Sequence, residues 1–236
     1  KGLWKVMCTN QRGAGHGIVF CSPLIYDGIV YVGNRIGQVW AVDFETGEAK
    51  WTWQEEGLKP EIFSSPKGGK DGIVLGTVDQ KARRGHIVCL DPKSGELKWR
   101  CPTSREVGAT IALFGGNVYA PCKDRRIYEI EYATGKLRRR LHLPGTTHCT
   151  PTIAMGFAFL VTGGNHSVAV DLITGETRWD HDVLCEDKIA VSFWKGRVFY
   201  PLGRYLRAFD AVSGNQLWEF EADHKLTAPC VAADGS

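Results

Sequence analysis

One eleven-residue phrase returns along this chain at a near-constant interval, and that interval restricts the fold more than any single residue does. The phrase is Ala41-Val42-Asp43-Phe44-Glu45-Thr46-Gly47-Glu48-Ala49-Lys50-Trp51. It recurs as Cys89-Leu90-Asp91 with Ser94-Gly95 and Trp99, as Ala169-Val170-Asp171 with Thr174-Gly175 and Trp179, and as Ala208-Phe209-Asp210 with Ser213-Gly214 and Trp218. A degraded copy, Glu129-Ile130-Glu131 with Thr134-Gly135, has Arg139 where the others have tryptophan. Successive turn glycines are 48, 40, 40 and 39 residues apart. Short strands repeating about every 40 residues are the mark of an all-β propeller, in which stacked repeats bury what one repeat cannot bury alone.

Each repeat parses into four short strands. In the first, Ser22-Pro23-Leu24-Ile25 is followed by a turn at Asp27-Gly28, and Ile29–Gly33 is a β-branched and aromatic run. Gln38–Asp43 alternates polar and apolar side chains, and Ala49–Trp53 closes the repeat after the Thr46-Gly47 turn. No window sustains a helical apolar period. Five complete repeats fall at about 20–54, 62–102, 107–141, 148–182 and 188–221. Residues 1–6 match a fourth strand and 227–236 a first strand, which predicts parts of a sixth blade. The expectation is a single propeller domain over 1–236, made of four-stranded antiparallel blades and belonging to a longer chain.

Within the phrase, the aspartate and the hydroxyl can bond turn backbone groups, and the glycine permits the left-handed conformation. Trp51, Trp99, Trp179 and Trp218 are expected to dock between neighbouring sheets, with the small residue at the phrase start leaving room for the indole. Truncating such an indole costs about 3–5 kcal/mol. At Arg139 the expectation is a looser contact or a guanidinium stacked on an aromatic neighbour.

The phrase A-x-D-x-x-T-G-x-x-x-W resembles the tryptophan-docking repeat of quinoprotein propellers, the PQQ-like repeat family, over nearly the whole chain. The resemblance implies the propeller fold and opens three functions. Some members are alcohol or glucose dehydrogenases that hold pyrroloquinoline quinone (PQQ) and Ca²⁺. Others are non-enzymatic scaffolds, such as the outer-membrane assembly lipoprotein of the BamB type. Others are accessory propellers of larger enzymes, for instance adenylate-forming enzymes. The dehydrogenases set two adjacent cysteines against the quinone, and this chain has no adjacent pair among its eight. No Asp/Glu/Asn group resembles an oxygen cage for Ca²⁺. The expected cofactor is therefore none, with PQQ and Ca²⁺ reserved for the dehydrogenase alternative, and no catalytic or metal residue is assigned. The favoured function is a binding or scaffolding module for a protein or acidic ligand.

Two groups of residues are candidate binding sites. The hairpins joining second to third strands are basic, carrying Arg35, then Lys81, Arg83 and Arg84, then Lys123, Arg125 and Arg126, then Arg204. A basic rim on a chain of net charge only +3 would attract acidic peptides, phosphates or anionic surfaces. Solvated hairpin tips are the competing account. Acidic Glu55-Glu56 and Glu186-Asp187 are expected on the same side, and the Asp-phrase turns make the opposite side acidic. Ser22, Ser65, Thr150 and Ser192 stand at or near one first-strand position, where they either line an axial channel or are simply the small residues that converging strands require.

Nucleic acid is disfavoured, because no interleaved aromatic platform accompanies the charges. None of the seven histidines forms a zinc-type pair, and His181-Asp182 with Cys185 is a sequence neighbourhood, not a triad. No apolar run approaches the roughly 18 residues that would suggest a membrane span. The scattered cysteines read as small buried hydrophobes and lean toward a reducing, cytoplasmic compartment; a scaffold of the BamB type would be periplasmic.

Overall fold

In a computed structural model, residues 18–55, 60–182 and 189–226 are described. Among them are twenty strands, in five four-stranded antiparallel sheets, and no helix. The first sheet holds β1 (Leu24–Tyr26), β2 (Ile29–Gly33), β3 (Gln38–Asp43) and β4 (Ala49–Gln54). The second holds β5 (Lys67–Gly69), β6 (Gly72–Gly76), β7 (Gly85–Leu90) and β8 (Leu97–Thr103). The third holds β9 (Ala112–Phe114), β10 (Asn117–Cys122), β11 (Arg126–Glu131) and β12 (Leu137–His142). The fourth holds β13 (Thr152–Ala154), β14 (Phe157–Thr162), β15 (His166–Asp171) and β16 (Thr177–Asp182), and the fifth β17 (Ser192–Trp194), β18 (Arg197–Leu202), β19 (Tyr205–Asp210) and β20 (Gln216–Glu221). The described residues fall into two compact units, one within Lys1–Ala120 and Ile130–Arg138, the other within Pro121–Glu129 and Arg139–Ser236. The expected terminal blade fragments, 1–6 and 227–236, lie outside the described residues.

The phrase is a turn device. Asp91 Oδ1 accepts the backbone N–H groups of Lys93 (2.8 Å) and Ser94 (2.9 Å), and Asp43, Asp171 and Asp210 accept the matching pairs. The hydroxyl of Thr46, Ser94, Thr174 or Ser213 then accepts the N–H two residues on. These bonds favour the charged carboxylate. The Thr46 N–H leads in holding Asp43 down, from 3.8 to about 2, with Lys50 assisting. The Ser94, Thr174 and Ser213 N–H groups lead in lowering Asp91, Asp171 and Asp210.

The same phrase joins one sheet to the next. Trp51 Nε1–H donates to the carbonyl of Pro92 at 3.0 Å, Trp99 to that of Tyr132 at 2.8 Å, and Trp179 to that of Ala211 at 3.1 Å. Each acceptor directly follows the acidic residue of the next phrase. The indole lies flat over the next turn glycine. A Cβ on Gly95 would fall 2.6 Å from the Trp51 ring, and one on Gly214 would fall 2.6 Å from that of Trp179. Both glycines also have φ near +75°. Across its own sheet each indole faces the small phrase-start residue, as in Ala41↔Trp51, Cys89↔Trp99 and Ala169↔Trp179. Trp218 faces Ala208 in the same way but remains 39% exposed, 5.8 Å from Phe199 of its own sheet. The segment that the repeat pattern sets beyond it lies outside the described residues.

Arg139 is neither loose nor stacked on a ring, correcting both expectations. Its guanidinium donates to the carbonyls of Leu172 and Ile173, the former being the acceptor that an indole would use. Its charge is met by Glu129 Oε2 at 2.5 Å. Glu129 holds the phrase-start position that is alanine or cysteine elsewhere, so Trp with a small partner has been exchanged for Arg with a buried carboxylate.

Two outcomes follow. Arg139→Trp takes the guanidinium away from buried Glu129 and costs about 3 kcal/mol, whereas Arg139→Trp with Glu129→Ala recovers most of that loss in urea unfolding. The aspartates bind fewer protons folded than unfolded, so their stabilisation is complete above pH 4 and is lost as pH falls from about 4 to 2. Urea midpoints should drop over that interval, and the drop should flatten when Asp43, Asp91, Asp171 and Asp210 are changed to Asn.

Candidate functional site

The basic hairpins are short turns except that between β6 and β7, which is lengthened to 77–84, and the structure separates their charges into engaged and free. Arg35 pairs with Glu61 at 2.9 Å and lies 5.7 Å from the ring centroids of Phe20 and Phe63. Arg126 pairs with Asp124 at 3.6 Å, Arg204 pairs with Glu221 and lies over Tyr205, and Lys123 is also engaged. In the first unit, Lys81, Arg83 and Arg84 are exposed, with no ion-pair partner among the described residues. In the second unit Arg125 is exposed in the same way. The expected rim of eight basic residues thus reduces to a three-residue cluster at one hairpin and a single arginine at another. Glu55 does not offset them, because it is buried and bound to Arg100 (2.9 Å) and His86 (3.3 Å). Burial alone would raise its pKa; the two partners outweigh burial and lower it. Glu56 and Glu186-Asp187 lie outside the described residues.

The first-strand hydroxyls serve neighbouring strands. Ser65 Oγ accepts the Ser22 N–H at 2.9 Å, and Thr110 Oγ1 accepts the Ser65 N–H at 3.2 Å. Thr110 was missed, although Thr110-Ile111-Ala112 aligns with Ser65-Pro66-Lys67 by register. Ser192 is out of step. It pairs with Phe199 as Thr152 pairs with Phe159, so Ala190, not Ser192, occupies the position of Thr150.

His181 is structural: its Nε2 lies 2.6 Å from the Gly214 carbonyl, and its ring stacks on Phe209. Cys185 lies outside the described residues. Among the described residues no group of three His, Cys, Asp or Glu side chains could hold a metal ion. No helix there is long and apolar enough to cross a membrane.

Within the first unit a cleft of about 550 Å³ lies between the first and second sheets, at the end opposite the basic hairpins. Tyr26, Ile29, Tyr31, Trp51 and Pro92 form its walls, and Asp27, Lys50, Lys70 and Lys93 surround its opening. The polar tips of two walls are occupied, since Tyr31 and Trp51 both donate to the Pro92 carbonyl, at 3.1 and 3.0 Å. Burial first, then the carboxylate of Asp27, pushes the Tyr31 phenol up to about 12, so it stays a neutral donor. This end was expected to be acidic. Asp43 and Asp91 are spent on backbone N–H groups and Glu45, Glu48 and Glu96 stay exposed on the same turns, while the lining of the cleft itself carries three lysines against Asp27. Sequence reasoning missed the cleft; its signal was Gly68-Gly69, where the other repeats have larger side chains, with Pro92 where the third repeat has Tyr132.

Residues 1–77 and 83–192 match the PQQ_2 family, described as "Outer membrane protein assembly factor BamB". The chain belongs to this family. One relative in it, outer membrane protein assembly factor BamB of Burkholderia pseudomallei, is 27% identical over 87% of this chain and 54% of the relative. The quinoprotein ethanol dehydrogenase of Pseudomonas aeruginosa is 22% identical over 97% of the chain and 42% of that protein. The crystal structure of BamB from Moraxella catarrhalis superposes with a TM-score of 0.72 at 20% identity, covering 89% of this chain and 66% of that one. The fold is an all-β propeller, and the five sheets are its four-stranded blades. The chain spans about half the length of the curated relatives it matches.

The free cluster can be separated from the engaged charge by stability. Changing Lys81, Arg83 and Arg84 together to Glu should leave the unfolding free energy within about 0.5 kcal/mol of wild type. Arg35→Glu, which sets a carboxylate beside Glu61 and removes the ring contacts, should cost about 1 kcal/mol.

Proposed function

We propose that this chain is a non-enzymatic, protein-binding part of an outer-membrane protein assembly factor, acting in the periplasm. Family membership across most of its length carries the reading. The blades support it physically. Their interiors are closed by paired strands and docked side chains, and short surface hairpins join the strands, which suits recognition on a rigid frame. The free Lys81, Arg83 and Arg84 would meet an acidic surface on the partner and speed its approach at low salt. The cytoplasmic expectation rested on cysteine spacing. Cys21, Cys89, Cys101, Cys122 and Cys149 are buried, and burial pushes the Cys89 thiol up to about 12. Thiols held protonated in a core resist oxidation in any compartment, so their spacing carries no address.

Cross-linking the tagged full-length protein in its own cells, followed by purification, tests the reading. The expected result is recovery of outer-membrane assembly proteins, weakened by salt and by changing Lys81, Arg83 and Arg84 to Glu. Recovery of none of them, or dye reduction with ethanol or glucose once PQQ and Ca²⁺ are added, would overturn it.

A further inference from the structure

We propose that the cleft between the first and second blades receives an aromatic side chain flanked by carboxylates on a partner polypeptide. The proposal rests on the protein-binding reading above and specifies the chemistry of one contact.

The argument begins with how the molecule fills the matching space elsewhere. Between the second and third blades the residue after the phrase acid is Tyr132, not proline. Its ring reaches back over the glycines of β5 and β6, its hydroxyl donates to the Gly72 carbonyl at 2.6 Å, and a Cβ on Gly68 would fall 2.9 Å from that oxygen. In the second unit, Phe193 of β17 stacks on Phe159 at 6.3 Å with ring planes 11° apart. By register Phe193 occupies the place of Gly68, and Phe159 that of Tyr31. Both clefts are therefore closed by a ring that the chain itself supplies.

Between the first and second blades, both sources of a ring are missing. Gly68 contributes no side chain, and Pro92 lacks the reach of Tyr132. The Tyr26 ring lies over Gly69, where a Cβ would fall 3.4 Å from it, but space remains beside Tyr31 and Trp51. Because the indole N–H and the Tyr31 hydroxyl are both committed to Pro92, those two walls present ring faces, and the Tyr26 hydroxyl is the polar tip that remains among the aromatic walls. Such a floor favours an apolar planar group in offset or edge-on contact. At the opening Lys50 is tied to Asp43 at 3.2 Å, while Lys70 and Lys93 are exposed and unpaired among the described residues. Of the residues that line the cleft, Asp27 is the one carboxylate against them, so the free charge of the lining is positive and complements carboxylates next to the ring. The volume, about 550 Å³, is larger than one ring requires and leaves room for the flanking residues.

The probe is acetyl-Glu-Phe-Glu-amide, observed by saturation-transfer NMR with the full chain. It should bind at least tenfold more tightly than acetyl-Glu-Ala-Glu-amide or acetyl-Lys-Phe-Lys-amide. Pro92→Tyr, which supplies a ring as position 132 does, should lower its affinity at least tenfold. Lys70→Glu with Lys93→Glu alters only exposed side chains and should do the same if Pro92→Tyr fails to fold. Absence of binding by the Glu-Phe-Glu peptide, or equal binding by the folded variants, would overturn the proposal. So would phenylacetate binding as tightly as the tripeptide, which would mark a small-molecule site. Changing Lys81, Arg83 and Arg84 to Glu should leave tripeptide binding unaltered. If the tripeptide fails while assembly proteins are still recovered from cells, the cleft proposal falls and the protein-binding reading stands.

Discussion

In the second to fifth blades, the carbonyl oxygen that follows the phrase acid is where the blade is fastened to the one before it. That oxygen sits at the rim of a turn, where its own strand gives it no partner, and the donor comes from the last strand of the preceding blade. The neighbouring requirements follow from this bond. The turn must hold its shape, so an aspartate gathers two backbone N–H groups. The indole must approach closely, so the turn residue beneath it has neither a Cβ nor a negative φ. The indole must be aimed, so its cross-strand neighbour is small. One contact thus accounts for an aspartate, a glycine, an alanine and a tryptophan at fixed spacing.

Blade three shows which part of that arrangement is indispensable. Arg139 keeps the acceptor and discards the indole. A guanidinium in this position brings a full charge to a partly buried seam, and the cross-strand site that is elsewhere alanine becomes Glu129. The two departures in the degraded phrase are one exchange, in which an apolar plate with one donor is replaced by a charged fork with several. The hydrogen bond to the next blade survives the change of chemistry.

The features legible in the sequence are those that depend on near neighbours. β2 and β3 run where the alternation and turn residues set them, and the phrase turns adopt the bonding that Asp, Thr or Ser, and Gly imply. Features that need a distant residue were not legible. Arg35 read as a free surface charge because its partner, Glu61, is 26 residues away and nothing local announces it. Arg139 read as a defect because its acceptors are 33 and 34 residues ahead. Ser192 read as a fourth first-strand hydroxyl because a serine two residues past the equivalent position looks the same until pairing is known. The cleft was hardest, because it arises from side chains that are absent. Gly68 and Pro92 mean nothing singly, and become informative only when Phe193 and Tyr132 are seen to occupy their places.

The fastening bond can be observed directly through indole hydrogen exchange. The Nε1 protons of Trp51, Trp99 and Trp179, assigned by single Trp→Phe substitutions, should each exchange at least about 100-fold more slowly than that of free tryptophan, since release requires a blade to open. Exchange of all three at the free-indole rate would contradict the account, because the carbonyls after the phrase acids would then lack the donors on which it depends.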